Sequence, residues 1–277
     1  MKFNIIDTHY HASSRSANDY ESLAIFGIKT IIEPSHRFCQ RIDSVAKYLE
    51  LLNKQVKNES LRANAFGVKY FFGIGLMPCD FISNEVYQET LAYISSPQLY
   101  SHDKMCCYGE VELDIYNKRG EDLFVKQLEY YSKNNYPIIV NIPHINREHV
   151  FKSTFSLLEK NRSNHKISFH NIVMDGIYID EVECADKFKF KAIGIPISLR
   201  NDAPFVVYKK NYPEQIMSFL KSKKYDFNKI IFNSAIGFGY GIPSGLSQIA
   251  GILQHNEISN EIINKTFYLN AQSTFNL

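Results

Sequence analysis

The chain has 277 residues, 45% hydrophobic and 22% charged, a balance that excludes intrinsic disorder and suffices for one large core. Its 31 Lys and Arg nearly cancel 29 Asp and Glu, leaving +2, so the whole chain offers no footprint for nucleic acid or an anionic membrane, and a nucleic-acid role would need a local site. No run of about 18 apolar residues suits a membrane span; Asp7 interrupts the N-terminus before any signal-like apolar stretch, and the cysteines (Cys39, Cys79, Cys106, Cys107, Cys184) lack C-x-x-C spacing, so a soluble cytoplasmic protein with reduced thiols is expected.

In chain order, short β-branched or apolar runs predict strands at Phe3–His9, Lys29–Glu33, Lys69–Leu76, Met105–Leu113, Pro137–Ile142, Asn171–Met174, Lys189–Ile195 and Lys229–Asn233. Between them, apolar positions at three-to-four spacing predict helices at Asp43–Lys57, Asn84–Ser95, Glu121–Asn134, Arg147–Lys160, Tyr212–Lys223 and Pro243–His255. The connection from Asp175 to Asp186 gives the weakest helical signal. Eight strands alternating with helices, with no G-x-G-x-x-G after the first strand and no second composition zone, predict a single-domain (β/α)8 TIM barrel over residues 1–277. In that fold, chemistry belongs to the C-terminal ends of the strands and the loops that follow.

Asp7, His9 and His11 are spaced by two at the end of the first strand, so an extended backbone sends all three side chains from one face. Two imidazoles converging there can chelate one ion, with a carboxylate from another strand completing the set. The fourth strand supplies Glu110, Glu112 and Asp114 on one face after an apolar run, and a carboxylate inside a closed barrel is costly unless paired or bound to a cation. Glu110 is therefore the expected partner of His9 and His11. The bland readings are two satisfied histidines and an ordinary Lys or Arg ion pair. Glu33, before Pro34, reads either as an acceptor for a histidine or as a salt-bridged rim residue.

At these residues the chain resembles the TatD-like metal-dependent hydrolases of the amidohydrolase superfamily. Their D-x-H-x-H is matched by Asp7-Thr8-His9-Tyr10-His11, and their G-E-x-G-L-D by Gly109-Glu110-Val111-Glu112-Leu113-Asp114, with Glu112 in place of glycine. Their N-A-x-x-x-F is matched by Asn270-Ala271-Gln272-Ser273-Thr274-Phe275. The resemblance implies a TIM barrel and divalent metal; family members usually hold two ions, and some cleave DNA phosphodiesters. It also exposes departures: the histidines ending the fifth and sixth strands and the aspartate after the eighth correspond here to Asn141, Gly176 and Asn233-Ser234-Ala235. Glu33-Pro34, His144 and the Asn233-Ser234-Ala235 segment match less-studied branches of the family.

An amide oxygen is a weak ligand and glycine offers none, so one ion, Zn, Mn or Fe, is expected on His9, His11 and Glu110, with no dinuclear centre. Asp7, Glu33, Asn141 and Asn233 are expected to support that shell, and His144 to act as fourth ligand or general acid/base. The expected activity is metal-activated water attacking a small ester, amide or phosphoester. The rival is a barrel that has lost catalysis and binds a metabolite or protein partner; a weaker third reading is redox or isomerase chemistry at one iron.

Lesser candidates are His36, His170 and Asp175, the last expected to face away from the site if its strand is regular. Placing the sixth strand at Lys166–Phe169 instead would put His170 at its end. The Gly237–Gly241 stretch reads as a lid, a tight turn or an anion loop. No G-x-S-x-G supports an acyl-enzyme.

Overall fold

The computed structural model describes residues 3–35, 38, 40–197, 212–222, 224–237 and 241–277. Its strands are Ile5–Asp7 (β1), Ile28–Glu33 (β2), Lys69–Ile74 (β3), Met105–Val111 (β4), Ile138–Asn141 (β5), Ile172–Asp175 (β6), Ala192–Pro196 (β7) and Ile230–Asn233 (β8). All eight predicted strands are present, and each pairs in parallel with the next in one sheet of order β1 to β8. Beyond the last strand the sheet closes on itself. Tyr10 bridges Ile236, the His11 amide donates to the Ile236 carbonyl at 2.8 Å, and the Ser234 amide donates to Asp7 Oδ1 at 3.0 Å.

Parallel strands covered on both faces are apolar on both faces, and these strands divide their side chains accordingly. Ile6, Ile32, Cys106, Cys107, Ile139, Val173, Ala192 and Ile231 fill the barrel interior, whereas Ile5, Ile31, Tyr108, Ile138, Ile172, Met174 and Ile193 pack towards the helices. The floor comes from the C-terminus. Ala271 and Phe275 of helix Asn270–Phe275 join the interior layer, and Asn270 Nδ2 anchors that helix by donating to the carbonyls of Phe227 and Ile230 at 2.6 and 2.7 Å. The N-A-x-x-x-F segment is thus a structural plug at the N-terminal end of β8.

The outer layer contains Ala17–Ile25 (α1), Val45–Ala65 (α2), Asn84–Ile94 (α3), Gly120–Tyr131 (α4), Arg147–Lys160 (α5), Val182–Asp186 (α6), Tyr212–Lys221 (α7), Gly245–His255 (α8) and Asn260–Asn264 (α9). A π-helical turn over Lys265–Leu269 leads to the plug helix, α10. Ser44 and Ser83 cap α2 and α3 by accepting from backbone amides, satisfying N–H groups the first turn leaves open. Three helices, α1, α9 and α10, exceed the sequence expectation; Ser16 and Asp19 form the capping box that begins α1. The weak Asp175–Asp186 segment holds only a 3-10 turn over Ile179–Glu181 and the short α6. Among the described residues, no helix is long and apolar enough to cross a membrane.

Candidate metal centre

Strand β1 ends at Asp7, two residues short of the predicted end, yet the two histidines still converge. His9 Nε2 and His11 Nε2 lie 3.1 Å apart with the rings nearly perpendicular. Glu110 reaches them from β4: its Oε2 is 3.3 Å from His9 Nε2 and its Oε1 3.8 Å from His11 Nε2. All three side chains are buried, and one ligand atom from each falls within 4.8 Å of the others. Glu110 faces inward because β4 slips register against β5 between Tyr108 and Val111, while both flanking residues pack on the helix side.

Asp175 holds His9 from behind. Its Oδ2 lies 2.7 Å from His9 Nδ1, while its Oδ1 accepts from Asn233 Nδ2 at 2.8 Å and from the Gly176 amide at 2.7 Å. A proton on Nδ1 directed at a carboxylate would leave the Nε2 lone pair available to a cation, the arrangement that orients histidines in metal sites. Glu110 is 6% exposed and its Oε2 accepts no hydrogen bond; among the described residues no lysine or arginine pairs with it. An orphaned buried carboxylate oxygen facing two imidazole nitrogens is the donor set a divalent cation fits.

Electrostatics without a cation reflect the same crowding. Burial pushes the Glu110 carboxyl up to about 8, helped by Glu112 and opposed by His9. Burial alone would lower His9, but its bond to Asp175, with Asp175, Glu110 and Asp7 nearby, raises it to about 9. Asp175 is held below its ordinary range: burial acts against ionisation, and His9, Asn233 and the Gly176 amide outweigh it. Burial raises Asp7 to about 6, against its bonds from Ser234 and His9.

The predicted supporting residues take different places. Asp7 accepts from the backbone amides of Ser234 and His9, tying the β1–β8 seam beneath the histidines. Asn233 touches Asp175. Glu33 accepts from the Ser13 amide at 2.8 Å and the Tyr70 hydroxyl at 2.7 Å, so it anchors the chain just after His11. Asn141 donates through Nδ2 to Glu112 Oε1 at 2.5 Å. His144 Nδ1 lies 2.7 Å from the Tyr178 hydroxyl and its ring stacks on Tyr178, with Arg147 3.5 Å from the Tyr178 ring centroid. Burial and the Arg147 charge push His144 down to about 4.

The main correction to the sequence reading concerns β6. Val173 points into the barrel and Met174 out, so Asp175 points in, with no irregularity in its pairing to β5. The contrary expectation came from aligning Gly176 with an inward ligand position. A legible signal was Gly194 within β7, since a glycine inside a strand marks close approach; here Asp175 lies against it. His170 sits exposed in a 3-10 turn before β6, so the Lys166–Phe169 alternative does not hold. His36 and Phe238–Tyr240 lie outside the described residues.

No family model matches the chain. A curated relative, an uncharacterized metal-dependent hydrolase of Methanocaldococcus jannaschii, is 24% identical over 197 residues, 71% of this chain and 74% of the relative. A TatD-like protein of Archaeoglobus fulgidus superposes with TM-score 0.72 at 17% identity, covering 98% of this chain and 100% of that one. A D-hydantoinase structure gives TM-score 0.62 at 13% identity over 98% and 70% of the two chains. A probable 2-pyrone-4,6-dicarboxylic acid hydrolase of Acinetobacter baumannii gives 0.55 at 14% over 99% and 100%. The chain is therefore similar in sequence to a metal-dependent hydrolase and shares its fold with these solved structures, a TatD-like protein among them.

Proposed function

We propose that the protein is a metal-dependent hydrolase that holds one divalent ion, Zn, Mn or Fe, on His9, His11 and Glu110 and cleaves a small ester, amide or phosphoester. The observation that carries this reading is the convergence of two imidazole nitrogens and an orphaned buried carboxylate at the C-terminal end of the barrel. The metal-dependent hydrolase relative supports it. When bound there, such an ion would lower the pKa of a water molecule at the site and polarise the scissile group.

The chain's own residues supply the remainder. Asp175 fixes the tautomer and orientation of His9, and Asn233 fixes Asp175. Glu33 and Asp7 hold the backbone on either side of the histidine pair. His144, kept neutral at physiological pH by burial and Arg147, enters as a hydrogen-bonding base rather than a proton donor. The rival, a barrel without catalysis that binds a metabolite or partner, draws on Asn141 and Gly176 standing where resembling enzymes carry ligands.

Elemental analysis of the purified protein, beside His9→Ala and Glu110→Ala, tests the reading. About one ion per chain, lost in both variants, is the expected result. About two per chain overturns the single-ion centre, and no ion after incubation with Zn, Mn and Fe(II) favours the binding protein.

A further inference from the structure

A parallel barrel gathers the starts of its strands at one end, so a residue type repeated at strand starts becomes a property of that end. Lysine is repeated in this way: Lys29, Lys69, Lys104, Lys191 and Lys229 stand within one residue of the starts of β2, β3, β4, β7 and β8. Lys187 joins them, exposed in the loop entering β7, where its carbonyl accepts from Arg162 Nη2 at 3.3 Å. Among the described residues, no carboxylate forms an ion pair with any of these lysines. Nearby acids are engaged locally: Asp103 with His102, Asp186 with Lys189 and Asp226 with Asn228. The net charge of +2 therefore hides a cationic floor, opposite the histidine end of the barrel.

The same end exposes large apolar side chains. Phe26 before β2 is 46% exposed, Leu99 before β4 is 55% exposed, and Leu269 before the plug helix is 43% exposed. Ile25, 64% exposed, joins Phe26, Phe3 and Ile5 in lining a hollow of about 430 Å³ between α1 and α8. Round the barrel, Lys29 and Lys69 separate Phe26 from Leu99, so these groups form no continuous groove for a helix or strand. Scattered apolar side chains among unpaired lysines match a surface that is anionic at its headgroups and apolar just beneath, since stable membrane attachment combines those two signals. A nucleic acid offers anions without an apolar layer, and its recognition favours arginine and stacked aromatics over lysine.

We propose that the floor of the barrel docks reversibly on an anionic lipid bilayer, through its lysine ring and with Phe26, Leu99 and Leu269 dipping into the headgroup layer. This pose turns the His9, His11 and Glu110 cluster away from the lipid, so that substrate reaches it from water. The inference does not depend on the hydrolase reading. Each lysine close to such a surface strengthens binding about fivefold, and the attraction fades as salt shortens the Debye length.

The test is co-sedimentation of the full chain with vesicles of phosphatidylcholine alone or of phosphatidylcholine and phosphatidylserine in equal parts, at low and physiological salt. Binding to the mixed vesicles only, weakened by salt, is the expected result. Lys69→Glu/Lys187→Glu weakens it about twentyfold or more, and Phe26→Ser/Leu99→Ser about tenfold or more. The control Lys118→Glu/Lys152→Glu makes the same change of net charge towards the other end and stays within about twofold of wild type, because it lies beyond a Debye length from the lipid. Equal binding to both kinds of vesicle, no binding to mixed vesicles at low salt, wild-type binding in either floor variant, or an equal loss in the control overturns the proposal. Displacement from the mixed vesicles by polyuridylate at equal charge concentration also overturns it and assigns the floor to nucleic acid. The lipid and salt comparisons use the wild type alone, so they decide the matter even where a variant does not fold.

Discussion

Gly194 on β7 makes room for Asp175 on β6: a β-carbon on the glycine would overlap Asp175 Oδ1 and come within 3.1 Å of Asn233 Nδ2. The carboxylate lies over the inner face of β7 at a residue with no side chain, and that space lets it reach His9.

Gly194→Ala is expected to displace Asp175 from His9 and to destabilise the fold by about 1–3 kcal/mol through overpacking. Asp175→Asn, which keeps the volume but loses the charge-assisted bond, should lower metal affinity about 10- to 100-fold with a smaller effect on melting temperature. Competition with a metal-binding dye and thermal denaturation of both variants check this. Wild-type metal affinity in Asp175→Asn would contradict the role assigned to the pair.

Asn233→Asp places a second carboxylate against Asp175 and replaces the donor of a 2.8 Å hydrogen bond in a fully buried site. Loss of about 1–3 kcal/mol is expected for the metal-free protein at pH 8. The loss should be smaller at pH 5, where the new acid can carry a proton and donate to Asp175. Urea denaturation at the two pH values measures the difference, and a loss that grows towards acid would contradict it.

Phe275, 2% exposed, fills the barrel floor beside Ala271. Truncation to alanine should cost about 3–5 kcal/mol, while leaving the metal stoichiometry of the surviving folded protein unchanged, because the plug lies at the opposite end from the histidines. Chemical denaturation and metal analysis together separate the two effects.

His144 is held near 4 in the folded protein against an ordinary 6.5, so between these values the unfolded chain binds more protons. Its contribution to stability is fully present above about 6.5 and is lost as pH falls towards 4. Wild-type stability should therefore decline more steeply than that of His144→Asn across this window, by at most about 1.4 kcal/mol per pH unit. Parallel slopes in urea titrations of the two proteins would show that His144 titrates normally.

The alternation of strands and helices, the pairing of His9 with His11 and the singling out of Glu110 were legible in the sequence. Each depends on local signals: periodicity within a few residues, a two-residue spacing, an acid following an apolar run. The length of β1 was overestimated, but the histidines converge even so because Asp7 and the Tyr10–Ile236 bridge hold the bend. Tertiary structure decided the rest. Whether Asp175 faces in or out depends on the pairing phase of β6 with its neighbours, and Glu110 faces in only through the slip between β4 and β5. Gly194 reads as a weak strand residue until the closed barrel brings Asp175 against it, and Glu112, Asn141 and Gly176 read as unrelated losses until adjacent strands set them in contact. A one-residue change of phase exchanges the interior and exterior of a strand, and that phase is set by neighbouring strands far away in the sequence.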